Sequence, residues 1–217
     1  MRAAGTVDRM LDRQRRIPAA AIVEHHDDPP PPGETPWVEG YAPTTAVRVV
    51  DADPGWPAVF AALERRIRDA LGERALAIEH VGSTSVAGLA AKPVIDVDLI
   101  VADSADETAW LPPLGALGGV LVIREPWWQQ HRVVRFADPV ANVHVFGPDA
   151  PEPVRHVILR DWLRAHPADR DRYAAAKREA ADAARAHGEH VMQYNARKQS
   201  VIREVYARAF AAAGLIA

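Results

Sequence analysis

The chain has 217 residues, 48% of them hydrophobic, and a formal net charge of −3 at pH 7, which allows one good-sized core, or a core with a helical annex, and does not single out nucleic acid as a partner. The absence of cysteine excludes disulfides, thiolate nucleophiles and cysteine-ligated zinc or iron–sulfur clusters. No apolar run approaches a membrane span and the N-terminus lacks a signal-peptide core, so a soluble, cytoplasmic protein is expected.

Residues 1–36 read as a flexible extension ending in a proline-rich linker. Arg9, Arg13 and Arg16 recur at helical spacing, and Pro29, Pro30, Pro31 and Pro32 favour an extended polyproline segment. Val7, Met10, Leu11 and Ile17 offer the alternative of a short helix with a narrow apolar stripe, docked on the body or on a partner. Residues 37–217 then form a single domain, with a core over 37–150 and a helical part over 151–217. Val47 to Val50 is predicted as a short strand. A helix beginning at Asp53-Pro54 is expected to run to about Leu71, because Val59, Phe60, Leu63, Ile67, Ala70 and Leu71 recur at helical spacing. Strands are expected over 75–81, 94–101, 119–124, 132–136 and 142–146, with a helical segment over 105–117. Helices over 152–165, 168–187 and about 189–213 complete an α/β chain with a helical C-terminal third.

The stretch from Glu79 to Asp98 carries the chemistry. A Gly82-Ser83 turn follows a strand, and glycine allows close backbone approach while exposed amides and the hydroxyls of Ser83, Thr84 and Ser85 suit phosphate oxygens. About a dozen residues later Asp96 and Asp98 stand two apart on a strand, so both point to one face and make a site for a hard cation, magnesium or manganese. Neither a Walker pattern nor a dinucleotide-binding G-x-G-x-x-G is present. Lys92, between turn and carboxylates, is placed for phosphate contact. His80 is a candidate to reach a phosphate or orient Asp98, with a satisfied strand-end histidine as the alternative. Arg132 and Arg135, three apart on a strand, should not share a face, so at most one need enter the site, and His131 adds a further cation. The adjacent Trp127 and Trp128 suggest a loop over the site or an oligomer contact.

The run from His80 to Asp96 resembles the signature of the GrpB family, whose fold belongs to the DNA polymerase beta-like nucleotidyltransferase superfamily. Asp53-Pro54-Gly55-Trp56-Pro57, Asn142-Val143-His144-Val145, Arg160 to Pro167 and Tyr194 to Lys198 also match, so the resemblance covers roughly 45–217. It implies a nucleotidyltransferase-like mixed β-sheet core with flanking helices. It further implies nucleotide phosphates on Gly82 and Ser83, magnesium on Asp96 and Asp98, and a site role for Tyr194 and Lys198. Ala87 stands where the family usually has proline. The third carboxylate common in catalytic members of the superfamily is missing from Asn142 to Val145, and His144 is the candidate base or ligand in its place.

Two functions follow from the resemblance. One is a magnesium-dependent nucleotidyltransferase that takes a nucleoside triphosphate and a small-molecule acceptor. The other is a non-catalytic module for a nucleotide or other phosphorylated ligand, linked to coenzyme A metabolism because GrpB-like domains occur fused to dephospho-coenzyme A kinase in some bacteria.

Overall fold

The computed structural model describes residues 16–25, 29–45 and 47–216. Five strands form one mixed sheet in the order β1-β2-β5-β4-β3: β1 Ala77–Val81, β2 Ile95–Ile100, β3 Val120–Glu125, β4 His131–Ala137 and β5 Val140–Phe146. Only β2 and β5 run parallel; the other pairs are antiparallel. Among the described residues the helices are α1 Ala19–Val23, α2 Trp56–Leu71, α3 Glu107–Ala116, α4 Glu152–Ala165, α5 Pro167–His187, α6 Val191–Arg197 and α7 Gln199–Ala212. The mixed sheet with flanking helices and a helical C-terminal third is the class expected from the sequence.

Alternation along the strands gives the sheet two unlike faces. Val97, Leu99, Val143, Val145, Val134 and Phe136 turn to one side, where Trp56, Leu63, Ile67 and Leu71 of α2 and Trp110 and Leu114 of α3 cover them. Burying each of these aliphatic side chains contributes roughly 1.5–3 kcal/mol, so this face anchors the fold. The residues between them turn to the other side, and there the register sets Glu79 beside Asp98 and His144, and Asp96 beside Asn142 and Arg135. The C-terminal helices close over that polar face, using smaller apolar clusters around Leu89, Leu163 and Val205, and around Val47, Ala184 and Tyr194.

Three local expectations are corrected. Val47 to Val50 is not a strand: only Val50 pairs, in an isolated bridge to Ala91, while Val47 packs against the alanines of α5. The α2 helix starts at Trp56 because Asp53 Oδ1 accepts the Gly55 N–H at 2.7 Å and holds the preceding residues in a turn. The segment 189–213 is two helices, with Lys198 (φ −98, ψ 2) at the break.

Part of the N-terminal extension is structured. Ile17 and Ile22 are buried against Val154, Tyr206 and Phe210, and the buried Arg155 donates to the carbonyls of Ile22 (2.9 Å) and Glu24 while lying over the Tyr206 and Phe210 rings. Of the expected apolar stripe, Ile17 docks on the helical third, and Val7, Met10 and Leu11 lie outside the described residues.

Candidate active site

The turn and the first carboxylate are built against each other. Gly82 has φ +64 and ψ −169 and leads into a single 3-10 turn at Ser83–Ser85. A Cβ at Gly82 would stand 2.5 Å from Asp96 Oδ2, so only glycine lets the turn approach the carboxylate this closely. Gly82 is exposed and Ser83 half-buried. Thr84 and Ser85 are buried, and their hydroxyls are spent inward: Thr84 donates to the Val94 carbonyl at 3.3 Å and Ser85 to the Gly82 carbonyl at 2.6 Å. These two hydroxyls shape the turn and leave Gly82-Ser83 as its solvent-facing edge.

Asp96 and Asp98 share the polar face but differ in surroundings. Asp96 keeps 32% side-chain exposure; its Oδ1 accepts from Asn142 Nδ2 at 3.3 Å and lies 3.9 Å from His144 Nε2. Burial opposes its charge, but His144, Lys92 and Asn142 outweigh that and hold the carboxyl below its ordinary range. Asp98 is fully buried, with its oxygens 2.9 and 3.2 Å from His156 Nδ1. His156 in turn reaches Glu152 Oε1 at 3.4 Å. Burial disfavours the imidazolium, yet Asp98 and Glu152 raise its pKa well above the usual histidine range, so Asp98 is neutralised inside the protein.

His144 ends a chain of hydrogen bonds. His131 Nδ1 is 2.7 Å from Glu125 Oε2, and His131 Nε2 is 3.0 Å from His144 Nδ1. Burial, then repulsion from His144, holds His131 well below the usual histidine range. With His131 neutral and Glu125 ionised, His131 donates Nδ1–H to Glu125 and accepts from His144 Nδ1, so Nε2 is the His144 atom that faces Asp96: protonated, it supports that carboxylate, and on losing its proton it carries a lone pair there.

Around the turn lies a group of cations. Tyr173 lies beside Ser83, and Lys198 Nζ donates to the Tyr173 hydroxyl at 3.4 Å. Lys177 and Lys198 stand over the Tyr173 ring at 5.0 and 5.7 Å, and Lys92 and Lys198 over the Tyr194 ring at 5.5 and 5.3 Å. Burial lowers the pKa of all three lysines, that of Lys198 to about 8.

The candidates from the sequence therefore separate. Gly82, Ser83, Lys92, Asp96, Arg135, His144, Tyr194 and Lys198 gather on or beside the polar face. His80 does not orient Asp98. It pairs with Val97 on the apolar side, stacks on Phe60 at 4.5 Å and bonds Thr84 at 3.1 Å, while His156 holds Asp98 instead. Arg132 is buried away from the site, its Nε donating to Glu107 at 2.6 Å on α3. Trp128 packs on His131 and Phe146. Sequence reasoning missed Lys177, set among alanines in α5, and Glu79, the neighbour of Asp98 on β1, whose charge Arg160 takes at 2.9 Å. The His156–Glu152 spacing of four, one turn of α4, was the available signal for that pair.

Magnesium uses one or two protein carboxylates and completes its shell with water and substrate phosphates. Asp96, charged, accessible and touching the turn, fits that use. Asp98 in this arrangement gives its oxygens to His156. Among the described residues no three His, Asp or Glu side chains could hold a metal by themselves, so ligand oxygens would complete the shell.

Comparison with known proteins agrees with the architecture. The chain is 46% identical over 164 residues to a UPF0157 protein of Halalkalibacterium halodurans, covering 76% of this chain and 83% of the relative. It is 33% identical over 190 residues to a protein named dephospho-CoA kinase from Mycolicibacterium paratuberculosis, covering 76% of this chain but 46% of that protein. The crystal structure of the conserved protein GrpB from Enterococcus faecalis superposes with a TM-score of 0.64 at 27% identity, over 75% of this chain and 99% of that one. The family model for GrpB protein matches residues 46–208, and the chain belongs to the GrpB family.

Proposed function

We propose that the polar sheet face binds a nucleoside triphosphate and transfers its nucleotidyl group to a small-molecule acceptor. The observation that carries this reading is the contact of the Gly82 turn with Asp96, with His144 Nε2 at 3.9 Å on the adjacent strand. Phosphate oxygens rest on Gly82-Ser83, beside Lys92. A magnesium ion held by Asp96 and the phosphates would neutralise charge and align the reacting groups. The acceptor hydroxyl or amine attacks the α-phosphorus, the bond to the bridging oxygen breaks, pyrophosphate leaves, and His144 Nε2 takes the acceptor proton. Glu125 and His131 set the tautomer of His144 for that step. Alignment and charge neutralisation supply most of what such a reaction needs.

The second reading is a binding module without transfer, favoured by the enclosure of Asp98 by His156. The relative named dephospho-CoA kinase makes coenzyme A-related compounds a sensible part of a ligand panel. Following pyrophosphate release from each nucleoside triphosphate with magnesium across an acceptor panel tests the first reading. Turnover is expected to fall about 10²–10⁴-fold in His144→Asn and to be lost in Asp96→Asn. Unchanged turnover in Asp96→Asn would sink it, and nucleotide binding with no turnover would leave the module.

A further inference from the structure

We propose that Lys92, Lys177, Lys198, Tyr173 and Tyr194 form a basin for the terminal phosphates of the ligand, so that the site selects a polyphosphate over a monophosphate. The proposal rests on the phosphate role given above to Gly82-Ser83 and extends it away from the turn. The three lysines come from separate places: the loop before β2, the middle of α5 and the break between α6 and α7. Tyr173, beside Ser83, joins the basin to the turn, and Lys198 stands over both rings, linking the Lys177 side to the Lys92 side.

This arrangement is unfavourable without an anion. Ammonium groups brought together on shared rings repel, and the ring faces attract them without cancelling their charge. Lys177 Nζ is the clearest case, because the residue is 2% exposed and the nitrogen has no hydrogen-bond partner. A buried donor left unmade is costly, and such an atom over the Tyr173 ring, within electrostatic reach of Asp96, points to a partner outside the chain. The groups acting on Lys177 are Lys198, Lys92 and Arg178, which disfavour its charge after burial, and Asp96, which favours it. An arriving polyanion reverses that balance, so binding takes up protons. One phosphate on the Gly82-Ser83 edge would meet only the Tyr173 end of this track. A chain of phosphates continues along it to Lys92.

The test is calorimetric titration of the full chain with inorganic triphosphate, pyrophosphate and orthophosphate, with EDTA present, at pH 8 in two buffers of different ionisation heat. Triphosphate should bind at least about tenfold more tightly than orthophosphate, with net proton uptake. Lys177→Met should weaken triphosphate binding about 10–100-fold, the usual range for one charged hydrogen bond, without lowering the melting temperature; Lys198→Gln provides a second variant if the first misfolds. Equal affinity for the three anions, no proton uptake, or full triphosphate affinity in the folded variants would overturn the basin. The probe carries neither nucleoside nor metal, so the outcome is separate from that of the transfer reaction. Triphosphate binding without turnover would sink transfer and leave the basin, and turnover with unchanged affinity in the lysine variants would do the reverse.

Discussion

Gly82→Ala is expected to be among the most damaging single-methyl changes in the protein. Two terms add. At φ +64 and ψ −169 an L-residue occupies a region used almost only by glycine, at a cost of about 1–3 kcal/mol. The new Cβ would also lie 2.5 Å from Asp96 Oδ2, 3.0 Å from Asp96 Cβ and 3.1 Å from its Cγ, and since the backbone of β2 fixes Asp96, relieving the overlap costs roughly 1–3 kcal/mol more. The sum, about 2–6 kcal/mol, corresponds to a fall in melting temperature of roughly 4–24 °C for a chain of this length. Gly72→Ala separates the terms, because Gly72 also has positive φ (+56) but a Cβ added there would meet nothing within 4 Å, so it carries the backbone term alone. Thermal and urea unfolding of both variants gives the comparison. A loss in Gly82→Ala no larger than in Gly72→Ala would refute the close approach of turn and carboxylate on which the site is built.

Three other outcomes follow from the same geometry. His80 is held neutral, with its pKa lowered to about 4 by burial and then by Arg164, so the unfolded chain takes the proton first: its contribution is complete above about 6.5 and is lost as pH falls toward 4, by at most about 3 kcal/mol. Melting curves of His80→Phe should be flatter over that window than those of the wild type, and identical slopes would contradict it. Arg155→Met should free the docked segment around Ile17 and Ile22 and cost about 3–5 kcal/mol; limited proteolysis read by mass spectrometry should remove the N-terminus faster, and an unchanged pattern would disprove the docking. Lys198, with its pKa at about 8, should lose its charge as pH rises through that value, so triphosphate affinity should fall between pH 7 and 9 in the wild type and fall less in Lys198→Arg.

The sequence is most readable where the signal is local. The apolar repeat of α2 from Val59 to Leu71 and the alternation of Asp96 and Asp98 with Val97 each encode burial directly, and the structure has the helix and the shared strand face. Val47 to Val50 has the composition of a strand, but its pairing depends on whether a sheet edge is in reach, and only Val50 finds a partner, in Ala91. The break at Lys198 carries no glycine or proline to mark it. In the site, chain order hides what the sheet assembles: His156 is 58 residues from Asp98, and Arg160 is 81 residues from Glu79. Lys177 is the hardest case. Among alanines it looks like a solvated helix residue, and only the structure shows it buried, with its ammonium over the Tyr173 ring one turn earlier on the same helix.

The central claim is that nucleotide phosphates lie on the Gly82-Ser83 turn beside Asp96. A crystal structure of the full chain with magnesium and an α,β-methylene nucleoside triphosphate tests it most directly. Phosphate oxygens are expected against Gly82 and Ser83, the terminal phosphates among Lys92, Lys177 and Lys198, and the metal on Asp96. A triphosphate bound elsewhere, or lying on this face without contact to the turn and Asp96, would contradict it.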